Sequence, residues 1–173
     1  MSDLMFDEIP AIEGKSRYDY GDWKSYAIHD EKNIKGFFGS FRFLSNFEPC
    51  DVWFEGLKYP SSENAFQSSK VNVDYRHNFV NITPAQSKKE WKNYPKIDAS
   101  KEEWDKRRYD VMSVILFEKF YRNKDLRQKL IDTGDRCLEE RNHWKDLWWG
   151  TDTKGVGENN LGKILMKIRK YWM

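Results

Sequence analysis

Apolar and polar positions fall into short, clearly punctuated stretches along most of this chain. Val52-Trp53-Phe54-Glu55-Gly56-Leu57-Lys58-Tyr59 reads as a β-hairpin. Aromatic and β-branched residues flank a Glu55-Gly56 turn, and Pro60 stops the second strand. Ser61 or Ser62 then caps a helix running to about Val71, because a Ser oxygen accepts an orphan backbone N–H. Thr83-Pro84-Ala85-Gln86 is a helix start with a capping box and Pro at the first helical position. Ser100 with Glu103 is a second capping box. It opens the longest predicted helix, Lys101 to about Arg122, with Trp104, Arg108, Val111, Met112, Ile115 and Tyr121 on one broad face. Asp125 to Ile131 reads as a short helix closed by Thr133-Gly134, and Arg136 to Glu140 as a strand. Leu161, Ile164, Leu165 and Ile168 form the buried stripe of a C-terminal helix. The predicted fold is mainly α (α+β): a compact helical domain with a small N-terminal β-hairpin.

Composition narrows this picture. The chain has 173 residues, a net charge of +2, 34% charged residues and 16% aromatics, including 8 Trp. That length fits one domain of ordinary size. The aromatic content supplies enough buriable area to exclude disorder. The longest apolar run is Val114 to Phe117, far short of the roughly 20 residues that a membrane span needs. No secretory leader is visible in MSDLMFDEIP, so a cytoplasmic location without a membrane partner is expected. Cys50 and Cys137 are expected as two buried thiols.

Charge divides the chain. Residues 1–33 carry four basic and eight acidic side chains, a net −4, so the remaining 140 carry +6. Residues 1–33 are read as an acidic N-terminal extension and 34–173 as the domain. Lys88-Lys89 and Lys106-Arg107-Arg108 are interleaved with acids, which suits solvated helix faces better than a nucleic-acid stripe.

Three places could carry chemistry. On a helix, Glu63, Gln67 and Lys70 stand at i, i+4 and i+7. They form either a polar surface stripe or the lining of a ligand cleft, with Glu63 as acid-base or charge-stabilising group. WGTDTKGVGENNLG packs four glycines before a helix. It is either a plain loop or a phosphate cradle using Lys154 and the helix start, although no Walker or Rossmann pattern is present. Trp148 and Trp149, adjacent and in a loop, are either core or a stacking platform for a planar ligand. His29, His77 and His143 are far apart, with no HxxxH or CxxC spacing. No metal or cofactor is called for.

In this order the motifs GFFGSFRFLSNFEPC, GLKYPSSENAFQSSK, TPAQSKKEW, the Trp104 helix, WWG and GENNLGKILMKIR resemble the YbiA-like, or NADAR, family over roughly Gly36 to Lys170. The resemblance implies an N-glycosidase. Family activities include cleaving phosphorylated intermediates of riboflavin synthesis and removing ADP-ribose from guanine in nucleic acid. The implied substrate is therefore a small nucleotide-like molecule or ADP-ribosylated guanine. The family's glutamate falls on Glu63, its long-helix tryptophan on Trp104, and its aromatic-Trp-Gly element on Trp148, Trp149 and Gly150. Its acid before that pair falls on Asp146, its Asn-rich helix start on Asn159 and Asn160, and LSNF brings in Asn46. On this reading Glu63 carries the catalysis, with Asp146 or Asp152 as a second carboxyl. Gln67, Lys70, Lys88, Trp104 and the loop residues bind substrate.

The chain also departs from the family. Members often carry arginine before the long helix, where this sequence has Tyr94-Pro95-Lys96-Ile97-Asp98, leaving Lys88 and Lys96 to replace that charge. Asn142 to Lys145 looks inserted. The rival readings are a module that binds ADP-ribose without cleaving it, and an interaction protein whose aromatic cluster is a partner surface.

Overall fold

The local start and stop signals act where the sequence places them. In the computed structural model, which describes residues 23–173, Glu55 and Gly56 take positive φ of 46° and 82°. That pair of left-handed residues turns strand β1 (Val52–Phe54) tightly into its antiparallel partner β2 (Leu57–Tyr59). Val52 and Phe54 point inward and Trp53 outward, the alternation of a half-buried strand. Ser61 caps helix α1 (Ser62–Ser68), its side chain accepting the Asn64 N–H. Both capping boxes form, at the starts of α2 (Pro84–Glu90) and α3 (Lys101–Arg122). Helix α4 (Lys124–Ile131) follows, and Gly134 takes φ 58° beyond it.

The described residues gather into two units. One holds Asn46–Asp132 and Ile168–Met173, the other 23–45 and Thr133–Lys167. In the first, α3 packs on the hairpin strand β1 and on α1, and α1 packs on α2. Asn64 is fully buried and donates through Nδ2 to the carbonyls of Phe79 (3.0 Å) and Ile82 (2.8 Å). It thereby fixes α1 to the 3-10 turn Val73–Phe79 and to the approach to α2. Asn64→Ala leaves these carbonyls short of a donor and is expected to lower stability by about 1–3 kcal/mol. A urea denaturation midpoint that stays at the wild-type value would count against this role.

The face of α3 differs in part from its prediction. Met112, Ile115, Leu116, Lys119 and Phe120 are buried, whereas Tyr121 is 51% exposed. A helix turns about 100° per residue, so a residue six positions after Ile115 leaves the stripe. Tyr121 instead stacks on Phe117 at 6.0 Å.

The second unit contains a sheet that periodicity does not reveal. Strands β3 (Ile28–His29) and β4 (Asn33–Lys35) pair antiparallel, and β4 pairs parallel with β5 (Cys137–Glu139). Ile34 and Leu138 are aligned partners, both fully buried. The acidic stretch 1–33 lies outside the described residues as far as residue 22. Its remainder includes β3, and Asp30 there forms the turn into β4 by accepting the N–H groups of Lys32 and Asn33. The predicted strand at 136–140 is β5. Cys50 is half-buried and Cys137 exposed, so neither thiol has the buried place expected of it. Cys137 begins an edge strand and faces away from the buried side.

Helix α5 (Asn160–Trp172) ends the chain, with Leu161, Ile164, Leu165 and Ile168 buried as predicted. The mainly helical α+β class is the one expected. No helix among the described residues is long and apolar enough to cross a membrane.

Candidate active site

The polar face of α1 is built as a chain of hydrogen bonds. Glu63 and Gln67 are 6% and 4% exposed. Helical spacing places them one turn apart on one face, and Gln67 Nε2 donates to Glu63 Oε1 at 2.7 Å. Lys70 Nζ donates to Gln67 Oε1 at 2.8 Å. The Glu63 backbone N–H donates to the Asn46 carbonyl at 3.0 Å. Glu63 lies in the first turn, where the helix dipole favours a carboxylate. Its Oε2 takes no hydrogen bond from the described residues.

Lys70 lies between two rings, 4.8 Å from the centroid of Phe66 and 4.7 Å from that of Trp91. Trp104 tilts against Phe66 at 5.8 Å. Asn46, half-buried, donates through Nδ2 to the Met112 sulfur at 3.6 Å, and its Oδ1 is buried without a partner. Lys88 is exposed, with its ammonium 5.8 Å from the centroid of Phe47. Lys96 donates to the Trp91 and Tyr94 carbonyls at 2.6 and 2.7 Å. Desolvation holds its ammonium below the usual lysine range. The structure thus brings Glu63, Gln67, Lys70, Lys88, Trp104 and Asn46 into one unit. It adds Trp91, whose place beside Lys70 no helical or strand spacing announces, since 21 residues separate them.

The remaining residues on the expected list lie in the other unit, in the loop from Asn142 to Asn160. Trp148 and Trp149 are both half-buried, with their rings edge-to-face at 4.4 Å. Asp146 Oδ1 accepts the Trp149 N–H at 3.0 Å. Asp152 Oδ1 accepts the N–H groups of Lys154 (2.8 Å) and Val156 (2.9 Å). Each carboxylate therefore shapes its own turn. Asn159, at φ 52°, bridges two backbone groups of the strand region, accepting from Glu140 N and donating to Leu138 O. Asn160 donates through Nδ2 to the Trp148 carbonyl. The α5 start is already served as well: the N–H groups of Asn160 and Leu161 donate to the carbonyls of Trp148 and Trp149. Lys154 is exposed.

Asn142, at the head of the segment that looks inserted, is fully buried, and its Oδ1 accepts the Asp146 N–H at 3.1 Å. Beside it, Glu139 accepts from Arg141 Nε at 2.8 Å and Thr151 Oγ1 at 2.7 Å.

The Asp152 turn has a pH signature. Hydrogen bonds from Val156 first, then Lys154, hold its carboxyl below the usual aspartate range. A lowered folded value means the carboxylate supports the turn at neutral pH and loses that role only as pH falls through the lowered value. Asp152 should therefore stay ionised near pH 4, where an ordinary aspartate (about 3.9) is half protonated. An NMR titration showing Asp152 protonating at or above the ordinary value would contradict the turn's role.

Among the described residues, no three His, Cys, Asp or Glu side chains gather as a metal-ligand set. A family model, the NADAR domain, matches residues 27–172, beginning inside the stretch that composition sets apart. A riboflavin biosynthesis protein of Vibrio vulnificus is 35% identical over 133 residues, 74% of this chain and 35% of that protein. N-glycosidase YbiA of Shigella boydii is 30% identical over 129 residues, 73% of this chain and 79% of the relative. The chain thus spans well under half of the Vibrio relative and most of the Shigella one. The NMR structure of the E. coli protein YbiA matches with a TM-score of 0.69 at 24% identity, covering 85% of this chain and 88% of that one. At that identity the likeness speaks for the fold alone.

Proposed function

This chain belongs to the NADAR domain family, and from that premise we propose that it is an N-glycosidase. It hydrolyses the ribosyl C1′–N bond of a phosphorylated, nucleotide-like substrate. The observation that carries the reading is Glu63. It is a buried carboxylate with Oε1 held by Gln67 and Oε2 claimed by no described residue.

Departure of the nitrogen builds positive charge on the ribose, as in other glycoside cleavage. A fixed carboxylate beside C1′ stabilises that charge without reorganising at the moment of reaction. On this reading the same carboxylate also accepts a proton from the attacking water. Water's hydroxyl ends on C1′ and its proton on the leaving nitrogen, so the products are ribose phosphate or ADP-ribose and the unmodified base, free or still in its nucleic acid.

The family resemblance implies two substrates: a ribosylamino-pyrimidine phosphate and ADP-ribosylated guanine. The test offers both to the purified protein and follows the released ribose phosphate or ADP-ribose by chromatography. Release from at least one is the expected result. ADP-ribose binding by calorimetry, with no ribosyl product from either substrate, would overturn the reading in favour of a binding module.

A further inference from the structure

We propose that Lys70 is a positioning residue for Glu63, acting through Gln67, and is not a ligand of the substrate's phosphate. The inference rests on the N-glycosidase reading for its kinetic consequence, but its geometry stands separately.

An ammonium only donates, and an ionised carboxylate only accepts. The Gln67 amide lies between one of each, 2.8 Å from Lys70 Nζ and 2.7 Å from Glu63 Oε1. One amide orientation satisfies both neighbours: oxygen toward lysine, NH₂ toward glutamate. Rotated by 180°, the amide would set donor against donor and acceptor against acceptor. The charge on Lys70 therefore selects the amide orientation, and the amide in turn holds Oε1. With Glu63 and Gln67 both nearly sealed from solvent, water does not readily replace either partner. Hydrogen bonds in such low-dielectric surroundings are strengthened and couple along the chain.

Lys70 is itself held for this task. Phe66 and Trp91 flank its ammonium at 4.8 and 4.7 Å, within cation–π range. Its carbonyl accepts the Ile97 N–H at 3.1 Å, and the next residues are pinned by the Val71–Lys96 bridge and by Asn72 N–H to Pro95 O. The rotamer entropy of a long side chain is thus surrendered in the folded protein. The bond to Gln67 and the two rings account for the place of this ammonium without a phosphate.

The consequence is geometric. With Oε1 anchored, the carboxylate plane is set and Oε2 keeps one direction. A displacement of about 1 Å at a reacting group costs as much as 10²-fold in rate.

The test is a double-mutant cycle on whichever of the two substrates the wild-type protein cleaves, with thermal melting to confirm folding. Lys70→Met keeps most of the stem between the rings and removes the charge. It should lower kcat about tenfold with KM within twofold. Lys70→Arg, which retains a donor, should keep a higher kcat than Lys70→Met. In a Gln67→Met background, adding Lys70→Met should cost less than twofold, because its route to Glu63 is already cut. A KM raised tenfold at unchanged kcat, or losses that multiply in the double variant, would overturn the proposal and make Lys70 a phosphate ligand.

The Gln67 side-chain NH₂ resonances give a readout that needs no substrate. Lys70→Met should shift them, and unchanged resonances would overturn the relay. Wild-type protein that cleaves neither substrate defeats the N-glycosidase reading alone, and the amide resonances still decide the relay.

Discussion

Glu63→Gln is expected to lower kcat about 10²–10³-fold, the usual cost of removing one well-placed charged stabiliser from a glycosidic or acyl transition state. Glutamine has nearly the same shape, and its oxygen can still accept from Gln67 Nε2, which lies 2.7 Å from Glu63 Oε1. Helix α1 keeps its Ser61 cap. What is lost is the full negative charge in a place that is 6% exposed. Burying a charge costs free energy, so its removal should leave the melting temperature unchanged or slightly higher. Activity and stability therefore part company: turnover falls, while the fold and the affinity for the substrate that the wild-type protein cleaves, read by calorimetry, persist. Steady-state kinetics with the cleaved substrate, set beside a thermal melt, measure both. Wild-type turnover in Glu63→Gln would remove Glu63 from the mechanism.

The second large effect is on stability. Gly150→Ala is expected to destabilise the protein by about 3 kcal/mol, the upper part of the ordinary range for overpacking. A Cβ at Gly150 would lie 2.0 Å from the Glu140 carbonyl oxygen and 2.8 Å from Asn142 Nδ2. That carbonyl cannot step aside cheaply, because it accepts the Thr151 N–H at 2.9 Å and lies beside the Arg141–Thr151 bridge. Gly134 is the contrasting case. A Cβ there meets nothing within 4 Å, and only its φ of 58° resists substitution. Gly134→Ala should cost about 1 kcal/mol, the price of a left-handed backbone alone. Chemical denaturation of the two variants separates a steric cost from a dihedral one. Equal midpoints would show that the close approach at Gly150 relaxes freely.

These expectations also mark how far the chain could be read without its structure. The two capping boxes, the Glu55-Gly56 turn and the Ser61 cap all form, because each is settled between residues two or three apart. The Glu63, Gln67 and Lys70 alignment was visible for the same reason: a helix brings i, i+4 and i+7 together whatever surrounds it. Spacing could not say that this stripe is buried, or that it is joined end to end by hydrogen bonds.

The glycine-rich loop shows the opposite limit. Its composition suits a phosphate cradle, yet the described N–H groups of Lys154, Gly155, Val156, Glu158, Asn159, Asn160 and Leu161 all reach protein acceptors. Gly150 and Gly162 serve close approach: a Cβ on Gly162 would lie 2.1 Å from the Leu138 carbonyl.

By itself, then, the sequence determined the local elements, the α+β class, the family and the polar face that carries Glu63. Short-range hydrogen bonding and helical or strand periodicity settle such features within a few residues. The tertiary structure alone decided the β3–β4–β5 sheet, whose parallel pair joins residues about a hundred positions apart, such as Ile34 and Leu138. It alone decided the clamp of Trp91 on Lys70, the burial of Glu63 and the near contact that reserves position 150 for glycine. Each of these depends on which distant groups meet, and no periodicity in the chain encodes such a meeting.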